Sequence, residues 1–260
     1  TRLSRGLGDV YKRQINGTRM AGFNNIELIS DRSIETNFRE IEECAKAWPD
    51  RAVIASLMTD TRENWHEMMQ RAVDSGAAGV ELNFGCPHGM CERGMGSAVG
   101  QNPDVMETIV GWVMEVAQLP VIVKLTPNIT DVTIPARAAK RAGANAISLI
   151  NTINSITQVD LDRLVPEPYV DGKSAHGGYC GPAVKPIALN MLENCASDPE
   201  VNLPISGIGG ISNWRDAAEF IALGSGSVQV CTAIMHYGFR IVEDMIEGLS
   251  DYLDSKGMHS

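Results

Sequence analysis

The chain has 260 residues, of which 44% are hydrophobic, enough for one α/β barrel or for one to two ordinary domains. Its 22 Lys and Arg face 32 Asp and Glu, and this net charge of −10 argues against nucleic acid and anionic membranes as partners. No apolar run approaches the roughly 20 residues that a membrane-spanning helix needs. The six cysteines are scattered, which predicts free thiols in a reducing cytoplasm.

Residues 1–14 lack the apolar centre of a signal peptide and fit no element that follows. We interpret them as a non-native or disordered leader, ahead of a partial barrel domain at 15–260.

Short apolar runs alternate with amphipathic stretches from residue 53 onward, as expected for parallel strands that are covered on both faces. The predicted strands are 53–57, 80–84, 121–125, 146–151, 204–209 and 227–233. Three helices have identifiable ends or faces. One begins at Asn102-Pro103, one is capped by Ser212 or Asn213 and stops at Gly224, and the last covers 239–253.

Repeated βα units indicate either an open doubly wound sheet or a closed (β/α)8 barrel. The barrel is favoured because unusual polar or small residues follow successive strands, where barrel active sites assemble, and no dinucleotide fingerprint is present. We therefore predict an incomplete TIM barrel in which strands 3–8 are visible and the first two βα units are missing. The aperiodic stretch 155–179 is interpreted as an excursion over the barrel mouth.

The segment Asn83-Phe84-Gly85-Cys86-Pro87-His88 directly follows the second predicted strand and leads into a glycine-rich loop. This position, past the end of a core strand, favours Cys86 as a proton donor or nucleophile under a flexible lid, with His88 tuning the lid or the proton relay. The alternatives are a small buried thiol for Cys86, a merely exposed loop histidine, and a Cys86/Cys91 metal site, for which a lone C-x4-C is weak.

Lys124 interrupts an apolar run, and a lysine there is costly to bury unless it is paired or bound to a ligand. It is predicted to lie beside an electron-rich ring or a developing negative charge; the alternative is a structural ion pair with Glu81. Asn151 and Thr152 follow the next strand. With Asn83 they suit a ligand that alternates C=O and N–H groups, such as a pyrimidine, although loop capping explains Asn and Thr equally well.

Three small-residue turns follow on successive units, at 177–181, 207–210 and 231–232. Their backbone N–H groups, with a helix N-terminus, predict a phosphate site. The residues assigned to it are Gly181, Ile208, Gly209, Gly210, Cys231 and Thr232.

Together these motifs resemble the FMN barrel domain of dihydropyrimidine dehydrogenases, in particular the catalytic subunit of the bacterial NAD-dependent, two-subunit form. The resemblance runs from about residue 22 to the C-terminus and is carried by 81–90, 123–128, 150–152, 177–181, 207–210 and 229–232. Dihydroorotate dehydrogenases share the barrel, but there an asparagine usually follows the Cys-Pro pair, whereas His88-Gly89 here points to the pyrimidine branch.

The resemblance implies reduction of uracil or thymine, with a hydride passing from N5 of FMN to C6 and a proton from Cys86 to C5. Asn83, Asn151 and Thr152, with Phe84 and Gly85, match substrate-binding positions, Lys124 the isoalloxazine contact, and the three turns the ribityl phosphate site. The implied partner is a flavin and iron–sulfur subunit that oxidises NADH. A tail with 4Fe–4S clusters would follow Ser260.

Two family features are missing from this sequence. The N-terminal strands, with a Lys-Thr pair that contacts FMN, are absent, and the family's pyrimidine-facing asparagine is expected near Thr61, where this chain reads Thr59-Asp60-Thr61-Arg62. The alternatives in function are a dihydroorotate dehydrogenase-type oxidoreductase and a non-redox phosphate-binding barrel enzyme.

Overall fold

The computed structural model of the protein describes residues 11–15, 19–26, 30–87 and 94–258. Its strands are β1 (Tyr11–Ile15), β2 (Arg19–Asn25), β3 (Ile54–Leu57), β4 (Gly79–Asn83), β5 (Val121–Lys124), β6 (Ala146–Leu149), β7 (Ile153–Ser155), β8 (Gln158–Asp160), β9 (Val165–Glu167), β10 (Tyr169–Val170), β11 (Lys173–Ser174), β12 (Gly177–Cys180), β13 (Ile205–Ile208) and β14 (Ser227–Gln229). Its α-helices are α1 (Ile34–Ala47), α2 (Arg62–Asp74), α3 (Ser97–Gly100), α4 (Pro103–Val116), α5 (Thr133–Arg141), α6 (Lys185–Ser197), α7 (Trp214–Ala222), α8 (Thr232–Tyr237) and α9 (Ile241–Ser255). No helix among these residues is long and apolar enough to cross a membrane.

Helix starts follow the capping chemistry that the sequence indicates. Asn102 caps α4 by accepting a hydrogen bond from the backbone N–H of Val105, and Pro103 occupies the first helical turn. Asn213, one of the two predicted caps, accepts from Arg215 and Asp216 at the start of α7. Both predicted helix starts are confirmed.

One compact unit comprises residues 27–148 and 198–204. Its strands β3, β4, β5 and β6 pair in that order and run parallel. One face of these strands carries only apolar side chains that are almost completely buried: Val80, Leu82, Val121, Val123 and Ile147. Helices α2 and α4 bury apolar faces of their own, as parallel strands covered by helices require.

The other compact unit comprises residues 1–26, 149–197 and 205–260. It contains the parallel pair β13–β14 and an antiparallel sheet in the order β1-β2-β12-β7. Two short antiparallel ribbons, β8–β9 and β10–β11, lie between β7 and β12 in the sequence.

The structure contains all six predicted strands; five are shorter than predicted, and β4 has the predicted length but begins one residue earlier. The prediction of strand at 227–233 is wrong beyond Gln229, because Thr232 already begins α8. The stretch 155–179 contains short antiparallel strands that pair part of its backbone, and its role as an excursion over the barrel mouth stays a prediction. Residues 11–14 of the predicted leader lie in β1 and residues 1–10 lie outside the described residues, so the leader's origin stays a prediction.

Candidate functional site

Cys86 lies three residues beyond the end of β4 and is only 6% exposed. Its burial agrees with the alternative of a small buried thiol, and its role as a proton donor stays a prediction. The returning chain covers it, because the backbone N–H of Ser97 donates to the Cys86 carbonyl at 3.0 Å. Gly96, at φ +60°, permits this approach, since a Cβ there would lie 2.7 Å from the same carbonyl oxygen.

The three residues before Cys86 form a tight turn. The Asn83 side-chain oxygen accepts a hydrogen bond from the Gly85 backbone at 3.2 Å, which fixes the side chain at the strand end. Phe84 is 1% exposed and meets Trp65 edge to face, with 5.8 Å between ring centroids. Phe84 therefore belongs to the core, and its backbone N–H donates to the Lys124 carbonyl at 3.2 Å.

Lys124 ends β5 and forms a buried ion pair. Its Nζ donates to Glu81 Oε1 at 3.1 Å, and both side chains are less than a fifth exposed. The ion pair with Glu81, which was the alternative to a ligand contact, is therefore present, and the role of Lys124 beside a ligand stays a prediction. The sequence analysis did not single out Ser148, whose hydroxyl donates to Glu81 Oε2 at 2.8 Å.

Asn151 and Thr152 come soon after β6 in the sequence, belong to the other unit and are both half-buried. The Asn151 side-chain oxygen accepts from the Thr152 backbone at 2.8 Å, so part of the predicted capping role is present. The segment that follows β6 adjoins the end of β13, because the Ile150 N–H donates to the Ile208 carbonyl at 2.7 Å.

The predicted phosphate turns come together within this unit. Gly181, Gly209 and Gly210 have φ of +94°, +141° and +74°, a region that favours glycine. A Cβ on Gly210 would lie 2.9 Å from the Gly181 carbonyl oxygen, and one on Gly181 would lie 3.6 Å from Thr232 Cγ2. Cys231 is exposed and precedes α8.

Cys180 lies directly before the first of these turns. Burial raises the pKa of its thiol above the usual value, although a hydrogen bond with Thr232 acts in the opposite direction. The thiol is therefore neutral near pH 7, and it adds no negative charge where an anion is expected to bind.

A polar network that the sequence analysis missed supports the Gly209–Gly210 turn. Lys185 Nζ, in the first turn of α6, donates to Asp216 Oδ1 at 2.7 Å. The other Asp216 oxygen accepts from the backbone and hydroxyl of Ser212, at 2.9 and 2.8 Å. The network ties the loop after β13 to the starts of α6 and α7. The sequence indicated this network only by Asp216, an Asp in the first turn of a helix that already has a good cap.

Asn24 is a second residue that the sequence analysis missed. It is completely buried in β2, where it pairs with Tyr179 on the neighbouring strand β12. On the other side of β12, Tyr179 pairs with Ile153, the residue that directly follows Thr152. Its side-chain oxygen accepts from the Ser155 hydroxyl at 3.1 Å. Among the described residues its amide nitrogen has no acceptor, which makes it a candidate ligand group.

The Thr61 segment, where the resemblance places an asparagine, is committed to capping. Thr61 caps α2 through the Asn64 N–H, and Asp60 accepts from Thr61 and Asn64.

His88 and Cys91 lie outside the described residues. Within the described ranges, no group of three or more His, Cys, Asp and Glu is arranged to hold a metal, and none of the five described cysteines forms a disulfide.

These observations define the class of protein to which the chain belongs. Residues 14–253 match the dihydroorotate dehydrogenase family, so the chain is a member of that family. Its fold resembles the crystal structure of DHODH from Eimeria tenella in complex with ferulenol, with a TM-score of 0.71 at 17% identity, over 91% of this chain and 69% of that one. The α/β barrel fold class is confirmed.

Within the family, the chain is 45% identical over 244 residues to the NAD-dependent dihydropyrimidine dehydrogenase subunit PreA of Escherichia coli K12, covering 94% of this chain and 59% of that protein. The chain is also 45% identical to the chloroplastic NADP dihydropyrimidine dehydrogenase of Arabidopsis thaliana, over 91% of this chain and 57% of that protein. The catalytic subunit of dihydroorotate dehydrogenase B of Pyrococcus abyssi is 38% identical, over 85% of this chain and 70% of that subunit. The chain thus spans somewhat more than half the length of the dihydropyrimidine dehydrogenases.

Proposed function

We propose that the protein is an FMN-dependent oxidoreductase that reduces the 5,6 double bond of uracil or thymine. The observation that carries the proposal is the placement of Cys86, a buried thiol at the carboxyl end of a parallel strand and three residues after Asn83. The 45% identity to two dihydropyrimidine dehydrogenases supports this choice within the family.

In this proposal, Cys86 is the general acid. Its thiol gives a proton to C5 of the pyrimidine and becomes a thiolate, which must be reprotonated before the next turnover. Because Cys86 is shielded from water by the chain around Gly96 and Ser97, the proton goes to substrate rather than exchanging freely with solvent. In the reverse reaction the thiolate removes the same proton.

The residues present fit FMN. The turns around Gly181, Gly210 and Thr232 offer closely apposed backbone for a phosphate, and Lys124 offers a buried cation for an electron-rich ring. Bound FMN would supply the hydride that adds at C6.

Substrate recognition falls to amide and hydroxyl groups. A pyrimidine imide alternates C=O and N–H groups, and side-chain amides match both. Asn83, Asn151 and Thr152 are proposed to bind it, with the buried amide nitrogen of Asn24 as a further donor. The assignment of Phe84 and Gly85 to the substrate site rests on the family resemblance, and a tuning role for His88 stays a prediction.

Electrons are proposed to come from NADH through a partner subunit that carries flavin and iron–sulfur centres. The name of PreA describes it as a subunit of an NAD-dependent enzyme, which supports a partner here. The 4Fe–4S tail and a cytoplasmic location remain predictions.

The test is a half-reaction with the natural full-length polypeptide loaded with FMN. We would reduce the flavin anaerobically and follow recovery of its oxidised spectrum after adding uracil or orotate. Recovery with uracil but not orotate is expected. Recovery with orotate alone would move the protein to the dihydroorotate branch, which the 38% identity to the Pyrococcus subunit keeps as the second candidate. A protein that retains no FMN, or forms a Schiff base at Lys124, would favour a non-redox phosphate-binding enzyme.

The role of Cys86 has its own variant pair. Cys86→Ala is expected to retain FMN but to lose uracil-dependent reoxidation by at least about 100-fold, the usual contribution of general acid catalysis. Cys44→Ala, which changes an exposed thiol on α1, is the matched control and should react normally. Undiminished reoxidation in Cys86→Ala would disprove the proton-donor role.

A further inference from the structure

Four polar side chains share one face of the strands β4, β5 and β6. Lys124 is level with Ser148 on β6 and with Asn83 on β4. Glu81 precedes Asn83 by two residues and therefore points to the same face. The opposite face of these strands is apolar, so the row Glu81–Lys124–Ser148 is a specific exception in a hydrophobic sheet.

The contacts within this row use both oxygens of the Glu81 carboxylate. Oε1 accepts from Lys124 Nζ at 3.1 Å, and Oε2 accepts from the Ser148 hydroxyl at 2.8 Å. Ser148 is completely buried and Glu81 is 8% exposed. The serine therefore fixes the carboxylate, and the carboxylate in turn fixes the flexible lysine.

We propose that Glu81 is a positioning residue that holds Lys124 against the isoalloxazine ring and sets the net charge there. This inference rests on the proposed function, because it assumes that FMN binds. A lysine has a long flexible stem, and a buried carboxylate beside it both restricts its nitrogen and cancels its charge. The Glu81–Lys124 pair is thus close to neutral, and it stabilises the negative charge of the reduced flavin less than a lone lysine would.

The decisive variant is Glu81→Gln, which keeps the shape of the side chain but removes its charge. Lys124 then faces the flavin without the Glu81 charge beside it, and the reduced form is favoured. We expect the ratio of reduced to oxidised flavin at a fixed potential to rise at least tenfold, a positive shift of about 30 mV in the two-electron midpoint potential. The measurement is an anaerobic spectroscopic redox titration of the FMN-loaded full-length polypeptide.

Two further variants separate positioning from general structural damage. In a Lys124→Met background, Glu81→Gln should raise the potential by less than it does when Lys124 is present, because only the direct effect of the carboxylate charge remains. Glu107→Gln, which breaks an exposed pair with Arg141 between the helices α4 and α5, is the matched control and should not alter the potential. An equal shift with and without Lys124 would overturn the proposal.

Loss of one partner of a buried pair is costly, so Glu81→Gln risks failing to fold. Glu81→Asp then takes its place, since it keeps the charge but ends one methylene short of Lys124. The weaker pair should give a smaller positive shift together with a change in the flavin absorption spectrum. An unchanged potential in whichever of these two variants folds refutes the role of Glu81. Wild-type protein that retains no FMN refutes the proposed function itself, and the inference with it.

Discussion

Gly100, the last residue of α3, is the point where the chain that covers Cys86 meets β4. A Cβ at this position would lie 2.1 Å from the Phe84 carbonyl oxygen and 3.0 Å from Thr126 Cγ2. Real Cβ contacts essentially never fall below 3.0 Å, so α3 and the Phe84 backbone would have to separate by about 0.9 Å. Thr126 is completely buried, so its side chain has little free space into which to move.

Gly100→Ala is therefore expected to destabilise the protein by about 1–3 kcal/mol, the usual cost of overpacking a tight interior. Helix propensity alone predicts the opposite sign, because alanine in a helix is favoured over glycine by about 1 kcal/mol. Gly111→Ala in α4 is the matched control, since a Cβ at Gly111 would meet no other atom within 4 Å. It should stabilise the protein by about 1 kcal/mol.

Urea unfolding of both variants measures the difference in the free energy of unfolding. The rate of Cys86 alkylation is a second readout, because displacement of α3 should expose a thiol that is now 6% exposed. Cys86→Ser identifies the labelled thiol. If Gly100→Ala proves as stable as Gly111→Ala and leaves the alkylation rate unchanged, the close packing of α3 on Phe84 is not what holds Cys86.

Two further predictions concern the helix starts. Burial raises the pKa of Asp216, but hydrogen bonds from Lys185 and Ser212 outweigh it, and the pKa lies below its ordinary value of 3.8. The stabilisation that this carboxylate provides is present above about pH 3.8 and is lost as pH falls through the lower folded pKa. Asp216→Asn should therefore lower the free energy of unfolding at pH 7 by about 1.5–3 kcal/mol and make it depend less steeply on pH in acid. An unchanged pH dependence in acid would contradict this. Asn102→Ala should cost about 1 kcal/mol in urea unfolding through loss of the α4 cap, and a midpoint equal to wild type would show that the cap contributes nothing.

Asn83, Cys86 and Lys124 could be assigned to the candidate site from the family resemblance of the sequence, because each follows or ends a core strand with a recognisable local pattern. The contacts between these side chains were harder to predict from the sequence. The sequence offered Glu81 as a candidate partner for Lys124, but nothing local connects either residue to Ser148, which comes from a different strand. Register between strands is a long-range property, and it decides which polar side chains meet.

Strand positions, the caps at Asn102 and Asn213 and the turns at Gly181 and Gly209–Gly210 were determined by the sequence itself, because periodicity, capping and positive φ are local preferences. Only the tertiary structure decided that Cys86 is buried and that the amide nitrogen of Asn24 has no acceptor in the part of the chain that the structure describes. Burial and hydrogen-bond satisfaction depend on segments far away in the chain, and no window of neighbouring residues contains that information.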